Sequence, residues 1–325
     1  MGIMKWMTGT AVALGALAAA TIGATAQDYP NKVVTIVVAA PTGGSNDLMA
    51  RAIADELTKK LGQTVIVENK PGASGNVGTA FVAGAKPDGY TLLLNSIAST
   101  VINPSLYKNL TYDYKSFAPI AKVAASQNVL IVHPSVPANT LQEFIAYVKS
   151  KPEDVLYGSV GNGSISHLAA VLFQNATGTK MTHIPYNGAA PTIPDILSGR
   201  ISAIFHNPVS MIAHVQSGAV KALVVTGSER LAPFPDVPTM KESGYPDFVV
   251  ESWYGISAPA GTPKEIIDLL SKDMLEVMAL PNVRQVFEKS GIEVSATGSE
   301  EFGALMKSES ERWADVIAKA GVTVD

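Results

Sequence analysis

The sequence predicts an α/β protein with parallel sheets, divided into two lobes. Three observations carry this. Val/Ile/Leu runs of strand length alternate with segments of helical periodicity along most of the chain. The mature length, near 300 residues, exceeds what one hydrophobic core usually organises. Two stretches, TIVVAAPTGGSNDLMARAIADEL and VLYGSVGNGSISHLAAVLFQ, repeat one order: strand, glycine loop, serine, helix.

At the N-terminus, residues 1–10 carry one basic side chain, Lys5, and no acid. Residues 11–24 are apolar, and Ala24-Thr25-Ala26 supplies a cleavage site. This is the pattern of a secretory leader over 1–26, removed after Ala26. Its apolar run is shorter than the roughly 20 residues of a membrane span. The expected location is the periplasm. The chain has no cysteine, which excludes disulfides, thiolate chemistry and a lipid anchor on cysteine. The formal charge of −4, one unit more negative once Lys5 is lost, argues against nucleic acid as a partner.

Strands are predicted at 33–39, 64–68, 91–95, 129–132, 156–159, 181–184, 203–206, 219–225 and 253–257. Several are continuous apolar runs, as expected of parallel strands buried on both faces. Met49, Ile53, Leu57 and Leu61 form a helical stripe, and so do Ile165, Leu168, Leu172 and Ala176. Further helices are expected near 141–149, 191–198, 211–216 and 264–278. No Gly/Ser linker separates the halves, so one lobe should be inserted into the other. Crossings are expected near 121–128 and 245–253. They give lobe one as 27–125 plus 250–325 and lobe two as 126–249.

The loop after the first strand ends Gly43-Gly44-Ser45-Asn46-Asp47. It lacks the Gly-Lys-Ser/Thr of a phosphate loop and the G-x-G-x-x-G of a dinucleotide site. A helix N-terminus remains, with its unpaired amides and partial positive charge, suited to a small anion such as a carboxylate. A second such end follows Gly161, Asn162, Gly163 and Ser164. If both face one gap, two positive helix ends converge on one ligand.

These same stretches resemble the periplasmic solute-binding proteins of tripartite tricarboxylate transporters, the Bug-type receptors. The resemblance continues through ENKPGASGNVGTAFVAGAKPDGYTLL, THIPYNGAAPTIPDILSGRISAIF, VKALVVTGSERLAPFPDVPTMKESGYPDF and WYGISAPAGTP, covering nearly the whole mature chain. It implies a type II periplasmic binding protein fold with an inter-lobe cleft. It also implies a small organic acid as ligand, delivery to integral-membrane permease subunits, and no cofactor or metal. The expected form is a monomer. Two positions depart from the family's habit. Thr42 stands where a second proline is common before the glycines, and His206 stands where an acid is common.

For the ligand site, Thr42, Gly43, Gly44, Ser45 and Asn46 would offer backbone amides and a hydroxyl, although a glycine turn with a serine N-cap needs no ligand. Asp47 would accept a hydrogen bond from a ligand hydroxyl, ammonium or water, or would simply favour the helix dipole. Gly161, Asn162, Gly163 and Ser164 would grip from the other lobe, with His167 one turn into that helix. Ser96 and Ser99 would form a polar wall after the third strand. Tyr186, His206 and Asn207 would close the floor. The glycines of ENKPGASGNVG read as structural, and Trp253 and Tyr254 as hinge packing.

Two rival classes share some of these features. An exported hydrolase would want a G-x-S-x-G elbow with a histidine partner, and neither PGASGN nor GNGSIS has that spacing. His133, His167, His183, His206 and His214 form no H-E-x-x-H pair. A ligand sensor for a membrane kinase would share the fold and the pocket.

Overall fold

The computed structural model describes residues 29–289, 292–322 and 324. The leader over 1–26 lies outside the described residues. In chain order the strands are β1 (Val34–Val38), β2 (Val65–Asn69), β3 (Thr91–Ser96), β4 (Phe117–Gln127), β5 (Val129–Val132), β6 (Leu156–Ser159), β7 (Thr182–Pro185), β8 (Ala203–His206), β9 (Lys221–Val225), β10 (Glu251–Pro259) and β11 (Glu293–Thr297). The helices are α1 (Ser45–Leu61), α2 (Asn76–Ala83), α3 (Asn103–Leu106), α4 (Leu141–Ser150), α5 (Ile165–Thr177), α6 (Thr192–Leu197), α7 (Ile212–Gln216), α8 (Lys264–Met278), α9 (Pro281–Lys289) and α10 (Ser299–Ala320).

One sheet has six strands in the order β11-β4-β10-β3-β1-β2, the other five in the order β7-β6-β8-β5-β9. Both are mixed, where the apolar runs suggest parallel. β1 pairs parallel with β2 and β3, and β6 with β7 and β8. β10 runs antiparallel between β3 and β4, β11 is antiparallel to β4, and β5 is antiparallel to β8 and β9. Burial on both faces makes a strand apolar whatever its direction. Direction is set here by the crossings: β4 runs straight into β5 with only Asn128 between them, and β10 returns beside β4.

The crossings are sewn together by side chains. Thr226 Oγ1 accepts from Asn128 N–H at 2.9 Å and donates to the Val250 carbonyl at 2.6 Å. Gln127 Oε1 accepts from Gly227 N–H at 2.8 Å, and its Nε2 donates to the Glu229 carbonyl at 3.1 Å. Trp253 is buried edge-on against Phe302, 5.2 Å between ring centres, so it packs the hinge.

Met49, Ile53 and Leu57 bury against one face of the six-stranded sheet with α8 and α9. On the opposite face, α2 and α10 cover Val37 and Leu93. That second core runs on without a break through Trp313 of α10 to Phe173 of α5 and Phe205 of the other sheet. α5 is turned slightly from its predicted stripe. Leu168, Ala169 and Phe173 face the core, while Leu172 is half-buried and Ala176 exposed.

Candidate functional site

The predicted site residues lie at the carboxyl edges of the two sheets, where open α/β sheets place ligands. β1 and β3 are parallel neighbours, so Thr42–Asp47 and Ser96–Ser99 leave the six-stranded sheet at one edge. β6, β7 and β8 are likewise parallel neighbours in the five-stranded sheet. Gly161–Ser164, Tyr186 and His206–Asn207 therefore share its corresponding edge. The two edges meet where α3 approaches the second loop. A Cβ on Gly163 would lie 2.5 Å from Leu106 Cδ1 and 3.3 Å from Val324 Cγ1.

In the first loop Gly43 turns the chain at φ +83°, and Gly44 rather than Ser45 is the N-cap of α1, with no side chain capping it. The first amides of α1 therefore lack partners within the helix. Thr42, Gly43, Gly44 and Ser45 are exposed, and Asn46 is partly so. Of the loop's own amides, that of Gly43 is taken up by the Asp47 carboxylate.

Asp47 is a correction. Its side chain is 2 % exposed, and both carboxylate oxygens are occupied. Oδ2 accepts from Gly43 N–H at 2.9 Å, and Arg51 donates to both oxygens at 3.0 and 2.9 Å. The Arg51 hydrogen bonds, and after them the Gly43 amide, hold this carboxyl below the usual carboxylate range against the opposing effect of burial. Arg51 also reaches Asn69, whose Nδ2 donates to the Ala40 carbonyl. The carboxylate foreseen as a ligand acceptor is thus a brace that clamps the loop onto α1 and β2. Arg51, four residues on, is the missed partner, and its i,i+4 spacing is visible in the sequence.

Ser96 is half-buried at the end of β3, and Ser99 is buried in the π-helical turn Ala98–Ile102. Their hydroxyls lie 3.4 Å apart, and Tyr112 donates to the Ser99 carbonyl at 2.9 Å from below. A Cβ on Gly78 would stand 2.7 Å from the Lys70 carbonyl oxygen and 2.9 Å from Ala39. Glycine there lets α2 lie directly against the end of β1.

The second loop uses more of its own donors than expected. Gly161 N–H goes to Ser159 Oγ at 3.2 Å, Gly163 N–H to His167 Nδ1 at 3.1 Å, and Ser164 N–H to the Gly161 carbonyl at 3.2 Å. Ser164 Oγ caps α5 by accepting from His167 N–H at 3.2 Å. Asn162 is exposed, and the other first-turn amides of α5 lack partners within the helix. His167 is a second correction. It is 8 % exposed and stacks on His183 with ring centres 3.9 Å apart, while the Tyr157 ring lies 4.9 Å from His183 and 6.4 Å from His167. Its role is to hold Gly163. Tyr157, Ser159 and His183, which complete this support, carry no sequence signal beyond being polar near a strand end.

His206 is also corrected, and Tyr186 is tethered by its hydroxyl. Tyr186 OH donates to Asp195 Oδ2 at 2.6 Å. His206 is 1 % exposed, with Nε2 at 3.1 Å from Thr192 Oγ1 and Nδ1 at 2.9 Å from Ser210 Oγ. His206 thus acts from within, while Tyr186 is half-buried. Asn207 is exposed, and its Oδ1 accepts from Val209 N–H. The 2.7 Å contact of Ser159 Oγ with His183 Nε2 is not a nucleophile pair in form. Ser159 is fully buried and already bonded to Gly161, and among the described residues no carboxylate bonds His183.

The ring stack gives a pH prediction. Burial, then the neighbouring His183, pushes the His167 pKa from 6.5 down to about 4. Between these values the unfolded chain holds a proton that the folded chain does not. Stability should therefore be full above pH 6.5 and fall as pH drops towards 4, by about 3 kcal/mol for this group. Urea midpoints measured from pH 7.5 to 4 check this. The His167→Gln variant should flatten the slope.

Two α/β layers that exchange the chain twice, each with a glycine loop at the carboxyl edge of its sheet, are the build of a two-lobed solute-binding protein. The model of the tripartite tricarboxylate transporter family receptor matches residues 49–322, and the chain belongs to that family. It is a family of receptors, and they work in the periplasm. Among similar proteins, BugT of Bordetella pertussis is 35 % identical over 298 residues, covering 91 % of each chain. The crystal structure of a TctC solute-binding protein from Polaromonas is 33 % identical with a TM-score of 0.80, covering 90 % of this chain and 99 % of that one. Two Rhodopseudomonas palustris proteins also align. Rpa4515 with adipate is 30 % identical with a TM-score of 0.73, covering 91 % and 100 %. MatC with bound malate is 31 % identical with a TM-score of 0.69, covering 89 % and 100 %.

Proposed function

We propose that this chain is a periplasmic receptor that captures a small dicarboxylate between its two sheet edges and delivers it to the membrane subunits of a tripartite tricarboxylate transporter. One observation carries the reading. The exposed, uncapped N-terminus of α1 and the N-terminus of α5 beside Asn162 lie at edges that meet at Leu106 and Gly163. Helix amides favour a carboxylate at each end, and charge-assisted hydrogen bonds replace its hydration. Relatives with adipate and malate support a ligand with two such ends.

The contact residues of this reading are Thr42, Gly43, Gly44, Ser45 and Asn46 on one side and Asn162 with the start of α5 on the other, with Ser96, Ser99 and Asn207 at the margins. Lobe one is 27–125 plus 250–325, lobe two is 126–249, and the leader is cut after Ala26. The protein acts as a monomer, without cofactor or catalysis. Closure is favoured because only the closed state uses both sets of donors. Calorimetric titration of the mature chain with malate, adipate, citrate, glutamate and benzoate tests this. A saturable one-to-one isotherm with a dicarboxylate is the expected result, and the absence of binding by every acid defeats the reading.

A further inference from the structure

α5 has two ends. Its N-terminus belongs to the carboxylate site, and its last two turns line a different cavity of about 590 Å³. That volume is in the range that holds a small organic molecule. Leu172 of α5, Tyr245 and Phe248 of the turn after β9, and Val316 of α10 form its apolar part. α10 packs on β4 of the six-stranded sheet, whereas α5 packs on β6 and β8 of the five-stranded one. The walls therefore come from both layers. With 13 residues, α5 separates this cavity from the carboxylate site by about 20 Å.

The electrostatics here are the reverse of those at the cleft. α5 ends at Thr177 and α10 at Ala320, so two helix C-termini, each with partial negative charge, converge on the cavity. Asp247, Asp315 and Lys319 stand on its rim. Asp315 is paired with Lys319 at 2.7 Å, while Asp247 makes no ion pair with the described residues. The half-buried Tyr245 ring beside Asp247 suits a cation with an apolar body, because ring faces and carboxylates both attract positive charge.

We infer that the cavity between α5, the turn at Tyr245–Phe248 and α10 is a second ligand site, which binds a small organic cation carrying an ammonium group on an apolar body. The ammonium lies at Asp247 and the helix ends, and the body lies on Phe248, Leu172 and Val316. The occupant touches both layers of the molecule, so it holds them in their present relation.

Calorimetric titration of the full mature chain with phenethylamine tests this, with 2-phenylethanol as the uncharged isostere. The amine should give a saturable isotherm at least about tenfold tighter than the alcohol. Asp247→Asn should weaken amine binding about tenfold or more. Ala176→Trp, which fills the cavity from an exposed rim position, should abolish it. Both variants should bind dicarboxylates as the parent does, so failure here is separable from failure of the receptor reading. Equal binding of amine and alcohol, no saturable amine isotherm, or an unaffected Asp247→Asn variant would each overturn the assignment.

Discussion

Gly163→Ala is expected to lower stability by about 2–4 kcal/mol and to weaken organic-acid binding about a hundredfold or more. Two separate costs add at this residue. Its backbone sits at φ +70°, where a Cβ is strained by roughly 1–2 kcal/mol. The added methyl would also stand 2.5 Å from Leu106 Cδ1, and Leu106 is 6 % exposed within a packed core, so it has little room to retreat. The loop must shift, and with it the Gly163 N–H bond to His167 and the start of α5. Urea unfolding and calorimetric titration measure the two effects. Leu106→Ala should cost less in the Gly163→Ala background than in the parent, because the clash is relieved there while the φ strain stays. A Gly163→Ala protein that binds its acid as tightly as the parent would show that the second loop is not at the site.

The second large effect concerns Asp47. Asp47→Ala should destabilise the protein by about 1–2 kcal/mol, since it releases the Gly43 amide and the Arg51 guanidinium together. The cost stays moderate because Arg51 is 48 % exposed and returns to water. Binding should weaken by a similar factor for every acid in the panel, because a loosened loop affects all carboxylates alike. A changed ranking among the acids would instead place this carboxylate against the ligand. At Asp47, the circular dichroism spectrum should remain that of the parent.

Much of the fold was legible because its signals are local. Alternating apolar runs and helical stripes located β1, β3, β5, β6, β8 and the buried face of α1 to within a residue or two. β4 was not foreseen as a strand. It holds Pro119, Lys122 and several alanines, and its place between β10 and β11 comes from pairing with segments over 100 residues away. α10 was missed although Phe302, Met306, Trp313 and Ile317 mark a buried face. At the site, the glycine loops and their place at strand ends could be read from the sequence. Beyond the Asp47–Arg51 pair, which donors remain free could not, because that depends on through-space partners: His183 for His167, Asp195 for Tyr186 and Thr192 for His206. A polar side chain near a pocket is as often occupied by the protein as offered to a ligand, and sequence alone does not tell these apart.

The six-stranded sheet also sets a timetable for synthesis. Its central strand β10 and edge strand β11 come from the last quarter of the chain, whereas all five strands of the other sheet lie between Val129 and Val225. A ribosome must therefore release nearly everything before β3 and β4 can find the neighbour that joins them. Until then the N-terminal hundred residues hold an unfinished sheet. Late completion of this sheet is thus written into its strand order.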